Sequence, residues 1–237
     1  MVLKLYGLAA ASGTTYAVAM TIHEKKIPFE IVPIDLQNLY NGYRTPELLA
    51  IQPFHQIPAI VSPYVQLWRR FIMLLSKDDD GFTLYESRAI CRYLAEKYAD
   101  QGTSLLPTEL KAKALFEQAA SIEYSNFHPH AYVIYFEGRQ KAIKGLEKDQ
   151  AKFDNAVSKL SAVLQVYETI LGKQRYLAGD EFTLADLFHI SFGTLLEPSG
   201  PVKSPYARFC PAVPGSAQIC PNLARFCLDP SKVTSCI

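Results

Sequence analysis

The chain has 237 residues, 24 basic against 23 acidic side chains, and 49% hydrophobic residues. That near-neutral balance gives no electrostatic reason to expect nucleic acid or an acidic membrane as partner, and the apolar share is ample for one large core or two small ones. The N-terminus lacks the basic region, apolar stretch and cleavage site of a secretory signal, so a cytoplasmic protein is expected.

Leu3 to Tyr6 alternates and stops at Gly7, as a short strand ending in a turn does. Ser12 then leads through Thr15, Val18 and Ile22 to the polar run His23 to Lys26, the pattern of an N-capped helix with one apolar face. Phe29 to Ile34 reads as a second strand. Strand, helix and strand in so short a span predict a parallel pair. Ile57 to Ile60 and Phe82 to Tyr85 read as the arms of an antiparallel hairpin, and Glu86-Ser87 opens a helix whose face is Ile90, Tyr93, Leu94 and Tyr98. Pro58 has no N–H to give a ladder, which suits an edge position or a cis bond. This order predicts a thioredoxin-like α/β domain over residues 1–99.

Between the two arms lies an apolar and basic stretch, residues 61–77. Without it, Ile60 would run into Asp78-Asp79-Asp80-Gly81, an ordinary acidic turn. Interrupted by Pro63, Gln66, Arg69 and Arg70, it cannot span a bilayer, which takes about 20 apolar residues. It reads as an insertion the fold does not require. Val61-Ser62 and Lys77 can be encoded by splice signals, so a translated intron is one origin; an amphipathic segment for a membrane surface or partner is the other.

The pattern changes beyond a linker formed by Asp100 to Ser104 and Pro107. Leu110 to Leu171 carries helical periodicity with few breakers, including Phe153, Val157, Leu160, Leu164, Tyr167 and Leu171. Gly179 to Phe182 is a turn, and Thr183 with Asp186 forms a capping box for another helix. An all-α domain is therefore expected over 108–196, followed by an atypical Pro-, Ser- and Cys-rich tail, 197–237. Four of the five cysteines fall in that tail at spacings that fit no zinc or redox pattern, and Cys91 reads as a small core residue.

Several motifs in this order resemble a cytosolic glutathione transferase, most closely of the phi class. They are Ser12, Thr15 and Val18 before His23-Glu24-Lys25; Gln52-Pro53-Phe54 with Gln56-Ile57-Pro58; Leu84 to Ile90; and Leu177 to Asp180 with Thr183, Ala185 and Asp186. The resemblance implies a detoxification enzyme that adds the thiolate of glutathione to apolar electrophiles. It also implies glutathione as cosubstrate, no metal or further cofactor, and a homodimer. A free thiol is mostly protonated at neutral pH, and lowering its pKa by roughly two units takes about 2.7 kcal/mol, within reach of one charge-assisted hydrogen bond plus a helix dipole.

By the same resemblance, Ser12 is the hydroxyl that stabilises the thiolate. Counting forward from Gly7 would put Ala11 there; counting back from His23 selects Ser12, and helix register tolerates no slip. Ser12 also suits a helix cap. Tyr43 and Arg44 stand where the family holds the glycine carboxylate of glutathione, Ile57 before Pro58 offers its backbone to the cysteinyl peptide, and Gln56 assists. Glu86 would accept from the γ-glutamyl ammonium, while Ser87 and the helix N-terminus would bind its carboxylate. His55 replaces a usual glycine. Tyr124, Phe127, His128, Tyr132 and Phe136 form an aromatic strip that can wall an electrophile pocket, or belong to the core. A glutathione carrier without turnover would keep the same binding residues, and a mis-spliced product would lack activity.

Overall fold

The computed structural model describes residues 3–7, 13–33, 59–61 and 83–196. The described residues up to Thr103 form one compact unit and those from Ser104 onward a second. Among them, no helix is long and apolar enough to cross a membrane.

The first unit holds a four-stranded sheet in the order β2-β1-β3-β4. β1 (Leu3–Gly7) and β2 (Phe29–Pro33) are parallel, joined through α1 (Gly13–Glu24). β3 (Ala59–Val61) lies antiparallel to β1 and to β4 (Thr83–Tyr85), with Ile60 opposite both Leu5 and Leu84. Val61, counted with the insertion on sequence grounds, pairs with Thr83, so the strand runs one residue into that stretch. Residues 62–77, like the tail, lie outside the described residues.

The helix α2 (Ser87–Lys97) packs against α1. Its buried face is Ser87, Ile90, Cys91, Leu94 and Ala95, whereas Tyr93 and Tyr98 are only half-buried. Small Cys91 and Ala95 admit close helix approach; the tyrosines expected on this face keep contact with water. Burial pushes the Cys91 thiol up to about 12, as for an inert core residue.

The C-terminal end of α1 is tied to the turn that leaves this unit. Lys25, almost wholly buried, donates from Nζ to the Thr103 carbonyl at 3.1 Å, and Gln101 Nε2 donates to the Lys25 carbonyl at 2.7 Å. Thr103 returns two bonds to Glu24, from its N–H to the carbonyl at 3.0 Å and from its hydroxyl to Oε2 at 2.5 Å. Burial lowers the Lys25 pKa, with the charge of Asp100 opposing. Gly102 permits this approach: it takes φ +64°, and a Cβ there would lie 2.1 Å from the Glu24 carbonyl oxygen.

The second unit is helical. α3 (Leu110–Ile122), α4 (His128–Tyr135) and α5 (Lys141–Ile143) follow one another through two wide π turns, Glu123–Phe127 and Phe136–Gln140. Glu109 caps α3 by accepting from the Ala112 N–H at 2.9 Å. The periodicity read as running from Leu110 to Leu171 is broken after Ile143, where Gly145 at φ +64° and a bond from the Leu146 N–H to the Lys141 carbonyl end the helix. Asp149 then caps α6 (Gln150–Leu171), whose buried stripe is Phe153, Ala156, Leu160, Leu164 and Tyr167.

At α7 (Leu184–Leu196) the expected capping box is present. Asp186 Oδ2 accepts from the Thr183 N–H at 2.9 Å and its hydroxyl at 3.1 Å, and Thr183 Oγ1 accepts from the Ala185 N–H at 3.3 Å. Oδ1 also accepts from the Leu177 N–H at 2.9 Å, so one carboxylate pins the preceding turn to the helix. Burial outweighs these bonds and raises the Asp186 pKa.

Candidate functional site

In the first unit, sheet register decides which loops meet. Tyr6 near the end of β1 lies opposite Ala59 at the start of β3, and Ala59 lies opposite Tyr85 at the end of β4. Gly7, the last residue of β1, pairs with Pro33, the last of β2. The chain therefore leaves β1, β2 and β4, and enters β3, at one end of the sheet. Ligands of open α/β sheets bind at such an end, where the parallel strands finish.

Of the expected glutathione contacts, Glu86 and Ser87 are described. Glu86 follows β4 directly with φ +71°, ψ +109°, a left-handed backbone that a non-glycine residue adopts at a cost of about 1–2 kcal/mol. Its carboxylate is exposed and makes no cap on α2. Ser87 is buried as the first residue of that helix, and the first turn carries no acidic side chain that would compete for its N–H groups. Ser12, Tyr43, Arg44, Gln56, Ile57, Pro58 and His55 lie outside the described residues.

In the second unit, four of the five strip residues form a ladder. Tyr124, His128, Tyr132 and Phe136 follow at 6.0, 6.5 and 6.0 Å between ring centres, with planes 16° to 23° apart. Phe127 is not among them. It is 1% exposed, its ring 4.8 Å from His189, so it belongs to the core. Tyr124 and Tyr132 stand 61% and 47% exposed, and Phe192 of α7 meets His128, Tyr132 and Tyr135 edge-on at 4.7 to 6.1 Å. The ladder is thus a hydrophobic shelf with aromatic support behind it.

Two features behind the shelf escaped the sequence. Glu123, fully buried, sits under His128 with Oε1 3.9 Å from Nδ1. Tyr167 and His189 share a buried hydrogen bond of 2.9 Å. His128 follows Glu123 by five residues and His189 follows Tyr167 by 22, and α-helical periodicity singles out neither spacing. Among the described residues, no cluster of His, Cys, Asp and Glu is arranged to hold a metal.

Comparison with known proteins follows the same division. Residues 11–97 match the glutathione S-transferase N-terminal domain and residues 124–226 the C-terminal domain. The chain is 39% identical over 223 residues to glutathione S-transferase PM239X14 of Arabidopsis thaliana, covering 90% of this chain and 93% of that one. It is 41% identical over 187 residues to glutathione S-transferase 3 of Zea mays, 79% and 75% covered. Glutathione transferase F7 of Populus trichocarpa superposes with a TM-score of 0.74 at 33% identity, over 99% of both chains. Glutathione S-transferase I bound with lactoylglutathione gives 0.75 at 30% identity, over 100% of both.

Proposed function

The chain belongs to the glutathione S-transferase family, in its phi class, and is an enzyme of that kind; from this we propose that it adds the glutathione thiolate to apolar electrophiles, with Ser12 as the hydroxyl that stabilises the thiolate. The observation that carries this reading is the sheet register that brings the ends of β1, β2 and β4 and the start of β3 together. The stretch holding Ser12 follows β1 in the chain, the stretch with Tyr43 and Arg44 follows β2, Gln56, Ile57 and Pro58 precede β3, and Glu86 and Ser87 follow β4. Every segment expected to touch glutathione starts or ends there.

In this reading, residues 1–99 bind glutathione and residues 108–196 supply the electrophile site, with 61–77 and 197–237 as additions. The N-terminus of α2 holds the γ-glutamyl carboxylate through its N–H groups and Ser87, and Glu86 takes the ammonium. Tyr124, His128, Tyr132 and Phe136 hold the electrophile. A cytoplasmic homodimer using glutathione as cosubstrate completes the proposal.

Ser12→Ala tests it. Turnover at pH 7 should fall about 10- to 100-fold while the glutathione Kd changes little, and the thiolate absorbance of bound glutathione should titrate close to the free thiol value of about 8.5. An unshifted thiolate titration would remove Ser12 from its role. A wild-type protein that binds glutathione without turnover would instead be a carrier.

A further inference from the structure

Within the first unit, α1 and α2 run in the same direction. β4 points the same way as β1, since each is antiparallel to β3, and each helix returns from the end where its strand finishes. Gly13, next after Ser12 in the chain, opens α1, and Ser87 opens α2, so the two helix starts lie at one end of the pair. At the other end, the bonds among Glu24, Lys25, Gln101 and Thr103 form a clasp. Between the ends, α2 meets α1 through small buried residues such as Cys91 and Ala95. Apolar contact has no direction, so it resists separation of the helices more than tilting or sliding. The hydrogen bonds of the clasp are directional, and they supply that missing constraint.

We propose that Gln101 and Thr103 are positioning residues for glutathione, holding α1 against α2 so that one ligand meets both helix starts. The proposal rests on the transferase reading, with Ser12 at the thiolate and Ser87 at the γ-glutamyl carboxylate. A ligand gripped at two places reacts well only while the spacing between those places is held. The 12 residues of α1 span about 18 Å, so a tilt of about 3° at the clasp moves the far end by about 1 Å. A displacement of about that size is enough to cost a reaction dearly. Two bonds of the clasp come from side chains that substitution removes without touching the backbone. Thr103 Oγ1 donates to the buried Glu24 carboxylate at 2.5 Å, a charge-assisted bond, and Gln101 Nε2 donates to the Lys25 carbonyl at 2.7 Å. When they are lost, the γ-glutamyl group stays on α2 while the sulfur loses its distance to Ser12.

The experiment titrates the thiolate absorbance of glutathione bound to the full chain, for the wild type, Thr103→Val and Thr103→Ser. Calorimetry with S-methylglutathione, which has no thiol to ionise, runs beside it. In Thr103→Val the thiolate midpoint should move up by about one pH unit, and turnover of an activated dinitroaryl chloride at pH 7 should fall about threefold and recover above both midpoints. The Kd of S-methylglutathione should stay within about twofold, and Thr103→Ser, which keeps the hydroxyl, should match the wild type. An unmoved midpoint in folded Thr103→Val overturns the proposal and leaves the clasp with stability alone. Gln101→Ala cuts a bond from an exposed residue and carries the same test if a thermal melt shows that Thr103→Val does not fold: its midpoint should rise by about half as much, and an unmoved one overturns the proposal. A wild-type midpoint at the free thiol value of about 8.5 overturns the Ser12 reading and this one together.

Discussion

Tyr167 donates its hydroxyl proton to His189. The Ala185 carbonyl, 2.7 Å from Nδ1, can only accept, so Nδ1 carries the ring hydrogen of a neutral His189 and Nε2, 2.9 Å from the Tyr167 oxygen, accepts. Burial raises the Tyr167 pKa, with the charge of Glu123 adding to it, so the phenol keeps that proton throughout the working pH range. Tyr167→Phe leaves Nε2 buried without this donor and should cost about 1–3 kcal/mol in urea unfolding followed by circular dichroism. A variant as stable as the parent would mean that water or another group replaces the bond.

The corner after the second π turn should be acid-sensitive. Glu137 Oε2 accepts from Lys141 Nζ at 2.8 Å and from the Asp149 N–H at 2.8 Å, and the Lys141 bond is the main reason its pKa lies below the ordinary carboxylate value. A depressed folded-state pKa gives stability that is present above the unfolded value and lost as pH falls through the folded one. Stability should therefore decline on acidification from the ordinary glutamate range downward. Glu137→Gln should flatten that part of the profile, and urea midpoints taken from neutral pH down to about pH 3 would show it. Parallel profiles for the two proteins would assign the acid sensitivity elsewhere.

Gly102→Ala meets two obstacles at once. The new Cβ lies 2.1 Å from a backbone oxygen that cannot rotate away, and φ +64° is itself unfavourable for alanine. The loss should be at least about 2 kcal/mol. Gly145→Ala has the same φ and open space around it, so it should cost only the conformational part. Equal losses at the two positions, measured by thermal melts, would show that the tie between Glu24 and Thr103 yields without strain.

Because Val61 pairs with Thr83, a clean excision of the stretch expected to be an insertion spares Val61 and removes 62–77. The connection between β3 and β4 then shrinks by about two halvings, worth roughly 1.2 kcal/mol of closure entropy. The shortened protein should be more stable by about that amount and bind glutathione with unchanged affinity by calorimetry. Binding restored only on excision would mean that the stretch obstructs the site; binding lost on excision would mean that it contributes to it.

Much of this fold was legible because local signals agreed with one another. The parallel pair around α1, the hairpin arms and the Thr183–Asp186 box each rest on a few adjacent residues. The buried face of α2 differs from the expected one because the hydroxyl ends of Tyr93 and Tyr98 seek water, while small Cys91 and Ala95 are what the core admits. Phe127 was grouped with the strip for its ring, but the π turn sends it toward His189. Such turns are unreadable from periodicity, since aromatic residues spaced by four look like a uniform helix. The Glu123–His128 and Tyr167–His189 pairs depend on that turn and on packing between helices distant in the chain.

The two wide turns also bear on how such a chain can diversify. Four residues of α-helix overshoot a full turn by about 40°, and a wider turn absorbs the excess, which keeps Tyr124, His128, Tyr132 and Phe136 in line. A single-codon deletion within Glu123–Phe127 would rewind that turn to α-helix, and because the i→i+5 turn holds one residue more than an i→i+4 turn, the helix beyond it would keep nearly the same facing. A lineage could thus gain or lose one residue at this turn and keep the rest of the helix in register, so the cost of such a change falls on the turn alone.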